Sequence, residues 1–290
     1  MSKKLFGFAA VFLLVFLLGL LAFLQDDEKI TAINNAVIYK KELEIFEKIQ
    51  KSCYDNKNIS EEEALAMLIN NKLESAVLKG KYNLEPDDTA LKEKARWIDE
   101  NTRNPKILKC VKSHYFPFYR KYYYEDIVKP TLVNPKLHFL FSQDREIHKE
   151  EIEKIEMIMK KVKENPEILA KIKEYQKATI SKSKEEKKEI GGYSFDVAED
   201  PFITKVLSKL KKGEFYPNVV EDDYSFKIVR LINEDKENYY WEGAVVMKKN
   251  FDDWFKSYVK ENVKIRIIDE KLKEKFKARY PNIWWPIESF

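Results

Sequence analysis

Apolar and polar positions divide the chain into a long uncharged run, a set of helical stretches, and a mixed region of strands and helices. The run is "LFGFAAVFLLVFLLGLLAFL", residues 5–24, flanked by Lys3-Lys4 and by "QDDEK". Twenty helical residues span about 30 Å, the thickness of a bilayer's hydrocarbon core. "TAINNAVIYKKELEIFEKIQ" (31–50) then alternates briefly, turns at Asn34-Asn35 and takes on a helical period. Next, Leu65, Leu68, Ile69, Leu73, Ala76 and Val77 share one helical face. Ser60 and Glu63 stand at capping-box spacing before it, and Gly80 and Asn83 mark its end. A third helix opens after Pro86 with Leu91, Ala95 and Ile98 on one side. A fourth starts at Asn104-Pro105 and runs through "ILKCVKSHYFPFYRKYYYEDIV" with a break or kink at Pro117. The aromatics between Tyr115 and Tyr124 suit either core packing, the commoner use, or a client-binding surface.

After Pro130 and Pro135 the pattern changes. "KLHFLF" (136–141) predicts a strand, and "KEEIEKIEMIMKKVKENPEILAKIKEYQKA" (149–178) one or two charged helices. The Gly191-Gly192 pair predicts a turn, "PFITKVLSKLKKGEF" a helix ended by Gly213, and "YSFKIVRLIN" (224–233) a strand. "KNFDDWFKSYVKENVKIRIID" predicts a helix and then a strand, with Trp254, Phe255, Tyr258 and Val259 as its apolar face. "RYPNIWWPIESF" follows as a tail.

Composition narrows the possible functions. The chain is 44% hydrophobic and 35% charged, enough for a true core under a heavily charged surface. A net charge of +4 makes no case for nucleic acid. The apolar run exceeds the 7–15 residues usual in a cleaved signal, and Phe23, Leu24 and Gln25 leave no small-x-small site. We therefore expect an uncleaved single-pass anchor, with the two lysines cytoplasmic and the rest extracytoplasmic. There, Cys53 and Cys110 can persist as a disulfide; the other reading is two buried thiols. The three histidines, His114, His138 and His148, have no ligand spacing, so no metal and no cofactor is expected.

Residues 136–233, in the predicted order strand, helices, Gly-Gly turn, helix, strand, resemble the parvulin family of peptidyl-prolyl isomerases. The echoes are "KLHFLF", "GGYSF" at Gly191 to Phe195, "PFITKVLSKLKKGEF" and "YSFKIVRL". The flanks, "ITAINNAVIYKKELE", "ALAMLINNKLESAVLKGKYNLEPDD" and "FDDWFKSYVKENVKIRI", resemble the SurA-like, PrsA-like and PpiD-like foldases. The resemblance implies an α+β, mainly helical fold: a discontinuous helical chaperone module with an inserted parvulin-like domain. Its divisions are residues 1–29 (anchor), 30–133 (helical module), 134–235 (parvulin-like) and 236–290 (helix, strand and tail returning to the module).

Unaided rotation about a prolyl bond takes tens to hundreds of seconds. By the resemblance, parvulins speed it with two histidines, a Cys or Asp, and an apolar pocket. His138 matches the first histidine, Lys227 stands at the second, and Ser181 falls at the Cys or Asp position. A cationic lysine cannot replace a neutral imidazole in a hydrogen-bond network. In the pocket Phe202 is kept, while Ser194 and Ala198 replace a leucine and a methionine. The bland readings are a histidine buried under the sheet for His138 and a core side chain for Phe202. The resemblance thus implies a chaperone for unfolded or newly exported polypeptides, without isomerase chemistry. An active isomerase with an altered site and a structural partner in an envelope assembly are the alternatives. Trp284 and Trp285 read either as client contacts or as tail residues packed on the body.

Overall fold

The computed structural model describes residues 28–116, 118–182, 187–190, 193–196 and 201–288. The expected anchor lies outside the described residues, as do Gly191, Gly192 and Ala198; within them no helix is long and apolar enough to cross a membrane. The fold is α+β, and the chain divides into two compact units: Met1–Asn134 with Lys256–Phe290, and Pro135–Phe255.

The first unit is helical around a small sheet. Strands β1 (Lys29–Ile33) and β2 (Ala36–Tyr39) form a hairpin whose turn residue Asn34 adopts φ 49°, a left-handed conformation that asparagine tolerates. Helix α1 (Lys40–Cys53) follows, its start fixed by the Glu42 carboxylate, which accepts the Tyr39 N–H. Helix α2 (Glu61–Tyr82) starts where Ser60 Oγ accepts the Glu63 N–H at 3.2 Å, and ends on Asn83 at φ 52°. Helix α3 (Asp88–Asn101) is capped by Asp87, and α4 (Pro105–Tyr115) by Asn104 with proline in its first turn. A π-helix (Tyr119–Val128) runs into α5 (Lys129–Gln143).

Tyr115, Tyr122 and Tyr123 are buried with Ile45, Ile49, Leu91 and Val111, so most of the aromatic run is core. Cys53 and Cys110 are bonded, with Cα atoms 5.8 Å apart, which ties α1 to α4. A cross-link over 57 residues stabilises by about 2–4 kcal/mol.

The C-terminal segment completes this unit. Strand β9 (Ile265–Ile267) pairs antiparallel with β1, giving the order β2-β1-β9. Helix α9 (Glu270–Arg279) lies on α2 through the Lys275–Glu61 and Arg279–Glu63 ion pairs. Trp285 is 1% exposed, packs on Phe276 and donates Nε1–H to Asn70 Oδ1. It is therefore a core residue, and the client-contact reading of Trp285 is corrected. Trp284 is half-buried beside it in the chain.

The second unit is a four-stranded antiparallel sheet, order β3-β8-β7-β6, with a helix on each face. Its elements are α6 (Lys149–Glu164), a 3-10 turn (Pro166–Lys171), β3 (Tyr175–Ser181), a hairpin of β4 (Lys187–Ile190) and β5 (Tyr193–Asp196), α7 (Pro201–Leu207), β6 (Val220–Glu221), β7 (Ser225–Glu234) and β8 (Asn238–Met247). Alternation along the strands divides the core. Phe226, Ile228, Ala244 and Val246 meet Ile152, Ile155 and Met159 of α6. Val229, Leu231 and Trp241 meet Ile203 and Leu207 of α7.

Three expectations are corrected here. Residues 136–141 are helix, the end of α5, because Val133, Leu137 and Phe141 form a buried stripe of period four. The end of the expected charged helices, Tyr175–Ala178, is the edge strand β3. The second unit reaches Phe255 where the sequence sets its end at 235, since β8 pairs with both β7 and β3. With it, Trp254 packs on Phe141 and Phe251 inside the second unit, while Val259 is buried in the first. Both lie on one helix, α8 (Phe251–Asn262). Across the Gly-Gly pair, Ile190 pairs with Tyr193.

Candidate functional site

The expected isomerase residues are not brought together. Lys227 on β7 pairs with Val245 of β8, while Ser181 on β3 pairs with Asn238. Those two partners stand seven positions apart on β8, about 23 Å at the usual rise of a strand. Lys227 forms an ion pair with Asp222, a structural bond at the sheet's end. Phe202 stands 58% exposed on α7, so the core reading fails. Ser194 lies on β5, whose partner strand is β4. The expected site thus lacks a common location.

His138 is elsewhere again. It is exposed on α5 and not buried under the sheet; its ring stacks on Phe251 with centroids 3.7 Å apart and planes 28° apart. It lines a cleft of about 830 Å³ within the second unit. Phe139, Tyr224 and Met247 line the same cleft and are 55%, 74% and 61% exposed. A stack of rings backs it: Phe251 lies 5.3 Å from Phe141 and 5.8 Å from Trp254 between centroids. An aromatic pair such as these gains from edge and offset geometry beyond the area it buries. The exposed trio differs from other exposed apolar side chains in lining one cleft together.

A buried polar frame holds the cleft's shape. Lys248, with 1% of its side chain exposed, donates to the Ser142 carbonyl at 2.5 Å and pairs with Glu221 at 2.9 Å. His148, also buried, joins the end of α5 to the end of β8. Its Nδ1 accepts the Lys249 N–H at 3.3 Å, which leaves Nε2 to donate to the Phe141 carbonyl at 3.0 Å. The ring is therefore neutral. Burial holds its pKa below the usual value, against the opposing Phe141 bond and with Lys248 adding to the depression. This is the inert, hydrogen-bonded histidine that the sequence suggested at position 138. Nothing in the local pattern marked His148, because it stands in a loop one residue before α6.

A depressed histidine pKa makes stability fall with acidity. Above about pH 6.5 both states are neutral and the His148 bonds count in full. Below that, the unfolded chain takes up a proton that the folded one resists. Unfolding of the second unit in urea should therefore become easier from pH 7 to pH 5, by at most about 1.4 kcal/mol per pH unit. His148→Gln should lower stability at pH 7 and flatten that slope. An unchanged slope in the variant would remove His148 as its source.

Chemically, the cleft offers burial to apolar side chains, a polarisable thioether and a rim of mixed charge, with Lys249 beside Asp223 and Asp252. Compared with known proteins, the chain matches no family model, no curated protein and no solved structure.

Proposed function

We propose that this chain is an extracytoplasmic polypeptide-binding chaperone of the SurA-like kind, tethered by its N-terminal apolar run, and that it lacks isomerase chemistry. The observation that carries this is the exposed Phe139, Tyr224 and Met247 around the cleft of the second unit. Unfolded segments present scattered apolar side chains, and a surface of aromatic rings and methionine accepts many shapes because it repacks easily. Three further features support the reading. The first unit is discontinuous, with the second inserted between Asn134 and Lys256. The bonded cysteines fit an oxidising compartment. The isomerase candidates Lys227 and Ser181 pair with β8 at positions about 23 Å apart, and His138 stands on α5.

The client contact in this reading is the cleft of the second unit, not the C-terminal tryptophans. The full-length protein in detergent should suppress aggregation of an unfolded client and bind a fluorescent apolar peptide. Replacing Phe139, Tyr224 and Met247 together by serine removes side chains worth about 1.5–3 kcal/mol each when fully buried. Peptide affinity should drop by at least about tenfold while the circular dichroism stays unchanged. Cis-trans exchange of a prolyl peptide should not be accelerated. Isomerase activity that vanishes in His138→Ala would replace this reading with the enzymatic one, and unaltered peptide binding in the triple variant would move the client site off the cleft.

A further inference from the structure

The disulfide has a third neighbour. Cys110 and His114 are four residues apart on α4, so they share one helical face, and Cys53 is the last residue of α1. One ligand atom from each of the three lies within 4.8 Å of the others, and all three side chains are half-buried rather than sealed. The spacing of histidines alone excluded a metal; the fold supplies the two sulfurs that the spacing could not show.

We propose that Cys53, Cys110 and His114 form a redox-gated site for a soft divalent metal such as zinc, closed while the disulfide stands and opened by its reduction. Two sulfurs and an imidazole nitrogen are the ligand types such an ion prefers. Tetrahedral bonds of about 2.3 Å to sulfur and 2.0–2.1 Å to nitrogen put ligand atoms roughly 3.5–3.8 Å apart. The two sulfurs, bonded to each other, would part to that spacing on reduction, and the His114 nitrogen lies within 4.8 Å of both. The Cα atoms of the two cysteines, 5.8 Å apart, keep both sulfurs beside the imidazole after the bond breaks.

The chemistry balances as follows. A dithiol reductant gives two electrons and two protons to the Cys53–Cys110 bond; that bond breaks, two thiols form, and the reductant becomes its own disulfide. The metal ion then displaces one proton from each thiol and bonds to both thiolates and to the neutral imidazole, leaving the fourth position to water. Reduction loosens α1 from α4, and the metal ties them again. The two states exclude each other, because a sulfur in a disulfide carries no thiolate charge to offer. This inference concerns the first unit alone and does not depend on the proposed client cleft.

The test uses the full-length protein in detergent, reduced with a dithiol, freed of it without air, and titrated with Co²⁺. The reduced protein should bind one equivalent with a near-ultraviolet sulfur-to-cobalt charge-transfer band, release two protons and unfold at a higher temperature than before the addition. The oxidised protein should show no band. His114→Ala should keep its helical circular dichroism and re-form the disulfide in air, yet bind Co²⁺ at least about tenfold more weakly. A reduced protein without the band overturns the proposal, as does undiminished affinity in His114→Ala. A reduced chain that loses its helical signal and does not regain it with Co²⁺ overturns it too.

Discussion

Lys72→Met should destabilise the first unit by about 3–5 kcal/mol, the usual cost of removing one partner from a buried ion pair. The ammonium of Lys72, 6% exposed on α2, stands 2.7 Å from Glu42 Oε1 on α1 and 3.5 Å from Asp126 Oδ1 on the π-helix. Tyr115 on α4 donates to Asp126 Oδ2 at 3.1 Å. The network therefore joins four helices through charges taken out of water. Burial alone would lower the lysine pKa, and the two carboxylates more than offset that, so it is held above its ordinary value. Methionine fills the same space but leaves two acidic groups without a cation.

The two acids are not equivalent. Burial, and then the Glu42 charge, push the Asp126 pKa well above the usual range, while Lys72 opposes. Both carboxyl groups face the Lys72 ammonium, so a proton on Asp126 would remove the repulsion between them. Glu42 Oε1 and Asp126 Oδ1 are both buried without a well-directed donor, and a proton shared between the two acids would supply one. Asp126→Asn should then be mild, about 1 kcal/mol or less, because its amide can donate to Glu42 and its carbonyl can accept from Tyr115. The sign with pH is the reverse of that for His148. A raised acid contributes in full below about pH 3.9, and its contribution is lost as pH rises through the folded value. Asp126→Asn should flatten this decline of the first unit's unfolding free energy with rising pH. If Asp126→Asn costs as much as Lys72→Met, the shared proton is excluded.

What the sequence discloses follows the range of the interactions concerned. The starts of α2 and α4 were legible because Ser60 and Asn104 act on backbone N–H groups three residues away. The end of α5 was not. "KLHFLF" is too short to separate a period of two from one near four, and the deciding residue, Val133, precedes Pro135 inside the helix. Pro130 and Pro135 read as breaks, yet the π-helix carries straight into α5 around them. At the site, the sequence picked His138 by a local echo. The side chains that stand with it come from residues 139, 224, 247 and 251, on elements that no local pattern relates. The disulfide is of the same kind: two cysteines suggest it, and only the packing of α1 on α4 decides it. Asp126 and Lys72 gave no signal at all, since their burial depends on four helices meeting.

Gly243→Ala should unfold the second unit, with an expected loss of about 4 kcal/mol or more, in the range reserved for severe backbone or core damage. "NYYWEGAVVM" drew no strand prediction, because glycine inside a strand pattern weakens the signal. The fold shows why the glycine is there. Gly243 lies opposite Val229 on one side and Gln176 on the other, at the centre of the four-stranded sheet. A Cβ added there would stand 1.7 Å from the Ile228 carbonyl oxygen and 3.1 Å from the Trp241 ring. A ring can tilt, but a backbone oxygen held in the ladder can move only if β7 and β8 separate. Since β8 pairs with both β7 and β3, that separation costs the sheet its middle and strips α6 and α7 of the surface they bury. The chain's unfolding should lose its second-unit step, while amides of α1 and α2 keep their protection from hydrogen exchange. The cleft goes with the sheet, since Tyr224 and Met247 flank the ends of β7 and β8. Peptide binding should therefore disappear in Gly243→Ala even though none of its contact residues has changed. Full protection of the β7 and β8 amides in that variant would show that the strands can give way at Ile228.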